Sequence, residues 1–152
     1  MRVTESLRLA LTLPLTHSES MNPQFDHEKL HVYQASLTFI TWAAKLLSSI
    51  ESKAAAKDQL DRAATSVPLN IAEGNGKFAV RNRCRFIEIA GGSALECAAC
   101  LDVLVAKGLC DETTVSAGKG QLLKIGSMLT GLQNNLMSRV SEGPSEYLDR
   151  TA

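Results

Sequence analysis

The sequence has few aromatic residues and no excess of charge of either sign. Its 152 residues include one Trp, two Tyr and four Phe, too few for an extended aromatic platform on which bases stack. Sixteen basic and sixteen acidic side chains give a formal net charge of zero at pH 7. Bulk charge therefore argues against a strongly basic nucleic-acid-binding domain, and any such binding must come from a local patch.

The chain also lacks long apolar runs and strand-like patterns. No apolar run approaches the roughly 20 residues that span a bilayer, so we expect no membrane segment. No stretch alternates apolar and polar residues as a half-buried strand does. The four cysteines, at positions 84, 97, 100 and 110, lie in or beside apolar helical patterns. We expect them to be buried, reduced thiols in a cytoplasmic protein.

Four segments follow the period of an α-helix, and the first has an unusually wide apolar face. From Leu30 to Leu47, one stripe of apolar residues steps by three and four, like a heptad seam. A second stripe lies beside it, which fits either a deeply buried helix or one that also carries a subunit interface. We predict the interface, formed by Val32, Phe39, Trp42 and Leu46.

The second helix is predicted from about Lys53 to Glu73 and contains a proline. Pro68 cannot donate a helical hydrogen bond and its ring clashes with the carbonyl of Ala64, so we predict a kink. The residues Gly74, Asn75 and Gly76 that follow are typical of a left-handed helix stop.

The third and fourth helices have clear ends. The third is predicted from about Val80 to Lys107, where Gly108 is suited to end it. Residues 90–94 are all small, which predicts close approach of a neighbouring backbone. The fourth starts at Asp111 or Glu112, since acidic residues suit the positive end of a helix. Its apolar seam contains Val115, Gly118, Leu122, Ile125, Leu129, Leu132 and Leu136.

Together these segments predict an all-α protein, an antiparallel up-down-up-down four-helix bundle with short connections. We place the bundle at residues 25–138. Residues 1–24 are expected to be a flexible N-terminal extension, and residues 139–152 a disordered C-terminal tail rich in polar residues, Gly and Pro.

Three blocks of sequence resemble a known family. They are LHVYQ at residues 30–34, LDRAATSVPLNIAEG at 60–74 and FIEIAGGSALE at 86–96. In order and spacing they look like the four-helix-bundle proteins of the 23S rRNA intervening-sequence family, over about residues 25–137. The resemblance implies a cytoplasmic protein without known catalysis, and a homo-oligomer that can be a ring-like pentamer.

One branch of that family is the accessory variability determinant of diversity-generating retroelements. Resemblance to this branch implies a reverse transcriptase as partner and nucleic-acid binding through a basic surface. The present chain differs from the branch in its net charge of zero.

One local pattern suggests metal chemistry. His27, Glu28 and His31 match H-E-x-x-H, in which two histidines one helical turn apart share a zinc ion and the glutamate acts as base. The pattern stands at the start of a helix, however, and His17 is the one further histidine in the chain. We therefore expect no metal or cofactor, and keep a zinc hydrolase as a remote alternative.

A basic cluster marks the connection between the second and third helices. It consists of Lys77, Arg81, Arg83 and Arg85, and no acidic residue occurs between Gly74 and Ile87. Such a cluster could bind phosphates, each contact adding to a salt-dependent affinity. The alternative is a solvated helix start in which Arg85 pairs with Glu88.

Polar residues inside the family blocks admit a structural and a catalytic interpretation. They are Arg62, Asn70, Glu73, Ser93 and Glu96. A catalytic pair of Glu73 and Glu96 lacks an accompanying nucleophile or histidine. We predict a structural network in which Asn70 and Ser93 bond carbonyls released by Pro68 and Arg62 pairs with a carboxylate.

The sequence therefore predicts a non-enzymatic, oligomeric binding or scaffold protein. Its expected partner is structured RNA or DNA, or a reverse transcriptase, contacted through the basic cluster. The alternative is an oligomer that binds proteins alone, and no small-molecule substrate is expected.

Overall fold

The computed structural model describes residues 24–142. The predictions for the extension before residue 24 and for residues 143–152 lie outside this part. A 3₁₀ turn, Asp26–Lys29, precedes four helices: α1 (His31–Ser49), α2 (Ala55–Asn75), α3 (Val80–Ala106) and α4 (Glu112–Ser141). The described part contains no strand, which confirms the all-α bundle. Because α4 continues to Ser141, the predicted boundary at residue 138 was too early.

The helices pack in chain order, and α1 also contacts α4, which closes the bundle. Gln59 of α2 hydrogen-bonds Glu96 of α3. Further along α2, Gly74 lies against Phe86, which comes earlier in α3. The two helices therefore run in opposite directions. This arrangement places the end of α2, the start of α3 and the end of α4 together at one end of the bundle.

Three of the four residues predicted to form a subunit interface on α1 do not lie on the surface. The exposed fraction is 5% for Val32, 1% for Phe39 and 6% for Leu46, so these three side chains form part of the core of a single chain. Trp42 is half-buried and packs against Gly118 of α4. Two adjacent stripes on α1 satisfy the helical period, and contact with α2 and α4 buries the one that contains Phe39.

The second helix passes through Pro68 without a break, and the proline itself is buried. A kink at this residue stays a prediction. The left-handed stop predicted at Gly74 to Gly76 is wrong, because α2 includes Asn75 and Gly76 has φ −79°. Gly74 has a different role: a Cβ atom there would lie 2.7 Å from Cβ of Phe86, so the glycine permits close contact between α2 and α3.

The predicted end of α3 is confirmed. Gly108 has a positive φ of 69°. Its N–H donates to the carbonyl of Val105 over 2.8 Å, and the N–H of Leu109 donates to that of Leu104 over 3.0 Å. This pair of bonds is a Schellman motif, which satisfies carbonyls that the helix end leaves open.

The start of α4 is also as predicted. Asp111 is its N-cap, and its carboxylate accepts the N–H of Thr114 over 2.7 Å. Its seam is buried from Val115 to Leu136, with Leu132 half-buried.

The small residues of α3 do not all serve close packing. Ala90 and Ala94 are buried against the neighbouring helices. Gly91 and Gly92, in contrast, have no atom within 4 Å of the position that a Cβ would occupy. The predicted close approach is therefore wrong for the two glycines.

By length and composition alone, α3 could cross a bilayer, although charges interrupt its apolar residues. In the bundle it packs against both α2 and α4, and Leu101 and Leu104 are fully buried. A helix enclosed by two neighbours needs apolar residues on a wide face, which accounts for this composition.

Candidate nucleic-acid interface

The basic cluster lies at the end of the bundle where α2 connects to α3. The connection places Lys77 after α2 and Ala79 as the N-cap of α3. Ala79 offers no side-chain acceptor to the first N–H groups of α3, which form the positive end of that helix. The four predicted cations differ in their surroundings.

Lys77 is partly neutralised within the chain. Its Nζ lies 3.3 Å from Oε1 of Glu73 and 5.0 Å from the centroid of the Phe86 ring, a cation–π distance. Glu73, which was predicted to belong to the polar network, instead forms this ion pair. The pair holds Lys77 over the contact between α2 and α3.

Arg83 supports the fold of the connection. Its Nη2 donates to the carbonyl of Asn75 over 3.0 Å and approaches the side-chain oxygen of Asn75 at 3.4 Å. The side chain is half-buried. Arg83 thus ties the start of α3 to the end of α2, and it is less available for a nucleic acid than its neighbours are.

Arg81 and Arg85 are the exposed members of the cluster. Within residues 24–142, no carboxylate lies within 4 Å of either guanidinium. The Arg85–Glu88 ion pair that the alternative interpretation expects does not form. Glu88 instead accepts a hydrogen bond of 2.9 Å from Nε2 of Gln133 on α4. These two arginines, one turn apart, therefore form no ion pair within the described part of the chain.

Sequence reasoning missed Phe78, which lies between Lys77 and Ala79. Its side chain is fully exposed, although burying an aromatic ring is favourable. The signal was present: an aromatic residue stands in a connection of only a few residues, between Lys77 and Arg81. Phe78, Arg81 and Arg85 are all exposed at or just before the start of α3, and we call these three residues the aromatic-basic patch.

The predicted polar network consists of separate clusters. Ser66 and Ser93 share a hydrogen bond of 2.8 Å between their hydroxyls. Asn70 Nδ2 donates to the carbonyl and the hydroxyl of Ser66, over 2.8 and 2.9 Å. Asn70 therefore bonds Ser66 rather than the carbonyl of Ala64 that Pro68 releases, and that part of the prediction is wrong.

The second cluster is centred on Gln59. Arg62 donates to its side-chain oxygen over 3.3 Å, and Gln59 donates in turn to Glu96. Arg62 thus reaches a carboxylate through an amide, not directly as predicted. Glu96 lies beside Gln59, whereas Glu73 lies 14 residues further along α2, roughly 20 Å away at 1.5 Å per residue. The two carboxylates cannot act as an acid–base pair.

The H-E-x-x-H segment does not form a zinc-binding helix. Leu30 has extended backbone, with φ −75° and ψ 124°, and separates the 3₁₀ turn from α1. His27 lies between the rings of Phe25 and Tyr33, with centroids 5.6 and 4.8 Å away. In residues 24–142 no group of three metal-ligating side chains occurs. The geometry that the zinc hydrolase hypothesis needs is therefore not present.

Three of the four cysteines are buried, as predicted, and the fourth is not. Cys84, Cys97 and Cys100 are buried, Cys110 is half-buried, and all four are thiols. Burial raises the pKa of Cys97 to about 12, with smaller contributions from Cys100 and Glu96. Such a thiol is a poor nucleophile at neutral pH, so the Cys97–Cys100 pair is part of the core.

Comparison with known proteins agrees with the fold. A family model described as 23S rRNA-intervening sequence protein matches residues 28–131. No curated protein matches the chain. Among solved structures, the chain is similar to a protein of unknown function from the S23 ribosomal protein family of Bacteroides thetaiotaomicron VPI-5482.

The TM-score with that structure is 0.64 and the sequence identity is 19%, over 67% of this chain and 97% of the other. At this identity the likeness shows the fold alone.

Proposed function

Because the chain belongs to the 23S rRNA-intervening sequence protein family, we propose that it is a non-enzymatic, cytoplasmic protein that binds structured RNA. The observation that carries this proposal is the aromatic-basic patch, in which the fully exposed Phe78 precedes by three residues the exposed Arg81, with the exposed Arg85 one turn further along α3.

The patch has the two groups that RNA recognition needs. An exposed ring stacks on an unpaired base in a loop or bulge, an interaction worth about 1–3 kcal/mol. The guanidinium groups contact the flanking phosphates and release counterions, which makes the affinity depend on salt. Because the net charge of the chain is zero, this local patch rather than a general field must attract the RNA.

Fluorescence anisotropy with a labelled stem-loop RNA, across a series of salt concentrations, tests the proposal. We expect the wild type to bind at low salt. Phe78→Ala should lose about 1–3 kcal/mol of binding free energy with the same salt slope. Replacing both Arg81 and Arg85 by Ala should weaken binding and lower that slope by about 1 for each phosphate contact.

A matched control removes the same charge elsewhere. Lys45 and Lys53 are exposed and lie toward the opposite end of the bundle, so replacing both by Ala should leave binding unchanged. Arg83 is left intact because it supports the connection. If the wild type does not bind at low salt, or if the control loses as much affinity as the arginine variant, RNA binding by this patch is refuted.

A second candidate function is a protein-binding oligomer, and a specific observation favours it. A groove between α3 and α4 is flanked by Leu95 and Leu123, each 75% exposed, and has Gly91, Ala98 and Gly126 along it. Exposed leucines beside small residues suit contact with another helix. The partner would be either a second copy of this chain or a reverse transcriptase. For a homo-oligomer, the family resemblance suggests five copies.

Light scattering tests the groove as a contact between copies. Leu95→Asp and Leu123→Asp change exposed side chains, so the fold should persist. If the groove joins copies, each variant should lower the mass of the assembly. An unchanged mass, with RNA binding retained, would exclude the groove as the contact between copies.

A further inference from the structure

A small cavity lies at the same end of the bundle, apart from the aromatic-basic patch. It forms where the residue before α1, the end of α2, the start of α3 and the end of α4 meet, and its volume is about 150 Å³. Apolar side chains line its inner wall: Leu30, Ile71, Ile87 and Leu136. Three of these are almost wholly buried, with Leu30 half-buried, so the inner wall is apolar.

The rim of the cavity is polar and positively charged. Arg83 and Arg139 line it together with Asn75 and Asn135, and among residues 24–142 no acidic side chain does so. Arg83 uses only Nη2 in its bonds to Asn75, which leaves its other guanidinium N–H groups for a ligand. Within residues 24–142, Arg139 makes no ion pair. Both cations are therefore open to an anion.

The size of the interior limits what can enter. A cavity of about 150 Å³ lined by Leu, Ile and Phe side chains accommodates benzene. The present cavity has the same volume and a similar inner wall, so a single six-membered ring fits it. The rim offers two guanidinium groups and two side-chain amides, which match the three oxygens and the charge of about −2 of a phosphate monoester.

We propose that this cavity binds a ring-bearing phosphate monoester, with the ring against Ile71, Ile87 and Leu136 and the phosphate between Arg83 and Arg139. The inference does not rest on RNA binding by the aromatic-basic patch, because the two sites use different residues. It assigns a second role to Arg83, which holds the end of α2 and also presents its remaining donors to the ligand.

Isothermal titration calorimetry of the whole chain with phenyl phosphate tests the inference. We expect one molecule to bind per chain, at least tenfold more tightly than inorganic phosphate or phenol. Inorganic phosphate lacks the ring that fills the cavity, and phenol lacks the phosphate that contacts the two arginines. Arg139→Ala should weaken binding at least tenfold. Arg139 is exposed, so the variant should fold, and Arg139→Lys should restore part of the affinity.

The matched control is Lys124→Ala, which removes one exposed cation from the same helix as Arg139 but not from the cavity. It should bind phenyl phosphate like the wild type. The inference is overturned if phenyl phosphate does not bind, if inorganic phosphate binds equally well, or if Arg139→Ala and Lys124→Ala have the same effect.

Two further ligands distinguish the sources of such a group. Binding of UMP but not of a 5′-phosphorylated hexanucleotide would identify a free mononucleotide. Binding of that hexanucleotide, but not of its unphosphorylated form, would identify the end of an RNA chain. In both cases Arg139→Ala should weaken the interaction, whereas Phe78→Ala should leave UMP binding unchanged.

Discussion

Gly118 of α4 lies against the indole ring of Trp42 of α1. A Cβ atom at position 118 would overlap the ring carbons Cη2 and Cζ3 and would lie 2.8 Å from Cε3. The ring also contacts Phe39, with centroids 5.6 Å apart. Trp42 therefore joins α1 to α4 within one chain, and the glycine is what lets the two helices approach.

This contact predicts that Gly118→Ala destabilises the bundle. Alanine favours a helix over glycine by about 1 kcal/mol, but forcing the indole ring to move costs about 1–3 kcal/mol. We expect a net loss of roughly 1 kcal/mol in the free energy of unfolding, measured by urea denaturation. Gly120→Ala, on the same helix and with no atom near its Cβ position, should instead stabilise the protein. Equal effects at both positions would contradict the contact.

The hydroxyl pair of Ser66 and Ser93 should couple the stability of α2 to that of α3. Their 2.8 Å hydrogen bond is partly buried, so a double-mutant cycle with Ser66→Ala and Ser93→Ala should give a coupling energy of about 0.5–1.5 kcal/mol. Ser48 bonds only a carbonyl of its own helix. Ser48→Ala combined with Ser93→Ala should be additive, and additivity of the first pair would show that the hydroxyl bond contributes nothing.

The N-cap of α4 should make stability depend on pH in the acidic range. Hydrogen bonds from the side chain and the N–H of Thr114 hold the pKa of Asp111 below its ordinary value of 3.8. Since the folded pKa is the lower one, the stabilisation is complete above pH 4 or so and is lost as the pH falls through the folded pKa.

Urea denaturation between pH 2 and 7 measures this dependence. Asp111→Asn keeps an oxygen that accepts from Thr114 but has no charge to titrate, so its stability should fall less with acid than that of the wild type. Glu112→Gln removes a charge one residue later without touching the cap. If Glu112→Gln reduces the pH dependence of the unfolding free energy as much as Asp111→Asn does, that dependence arises from overall charge and not from the N-cap.

Burial of the Cys97 thiol should protect it from alkylation and make stability fall at high pH. Its pKa is raised from 9.0 to about 12. Because the raised value belongs to the folded state, the stabilisation is complete below pH 9 and is lost as the pH rises toward 12.

At pH 8, iodoacetamide should modify the half-buried Cys110 first and Cys97 slowly, as located by mass spectrometry. All four cysteines should react in urea. Rapid labelling of Cys97 in the folded protein would show that this part of the core opens readily.

Much of the fold followed from local patterns. The seam of α4 and the end of α3 at Gly108 were predicted because each depends on neighbouring residues: helical period in one case, a backbone conformation suited to glycine in the other. The start of α4 at Asp111 or Glu112 was predicted for the same reason, since an acidic residue interacts with the nearby positive end of its own helix.

The errors share a different cause. Two stripes on α1 have the same period, and which one is buried depends on where α2 and α4 lie. Gly74 was assigned to a turn because a glycine near a helix end usually makes one, whereas its contact partner is Phe86 on the next helix. Likewise, nothing in the sequence shows that Asn75 holds Arg83 while Arg81 and Arg85 stay exposed.

The sequence by itself determined that this chain is a bundle of four helices with a basic cluster at the α2–α3 connection, because helical period, caps and charge are properties of short segments. The tertiary structure alone decided that the Phe39 stripe is core, that Arg83 is tied to α2 and that Phe78 is exposed. It also brought Arg139 to Arg83 at the rim of a cavity. Each of these four features depends on contacts between residues that are far apart in the sequence, and such contacts form only when the helices pack.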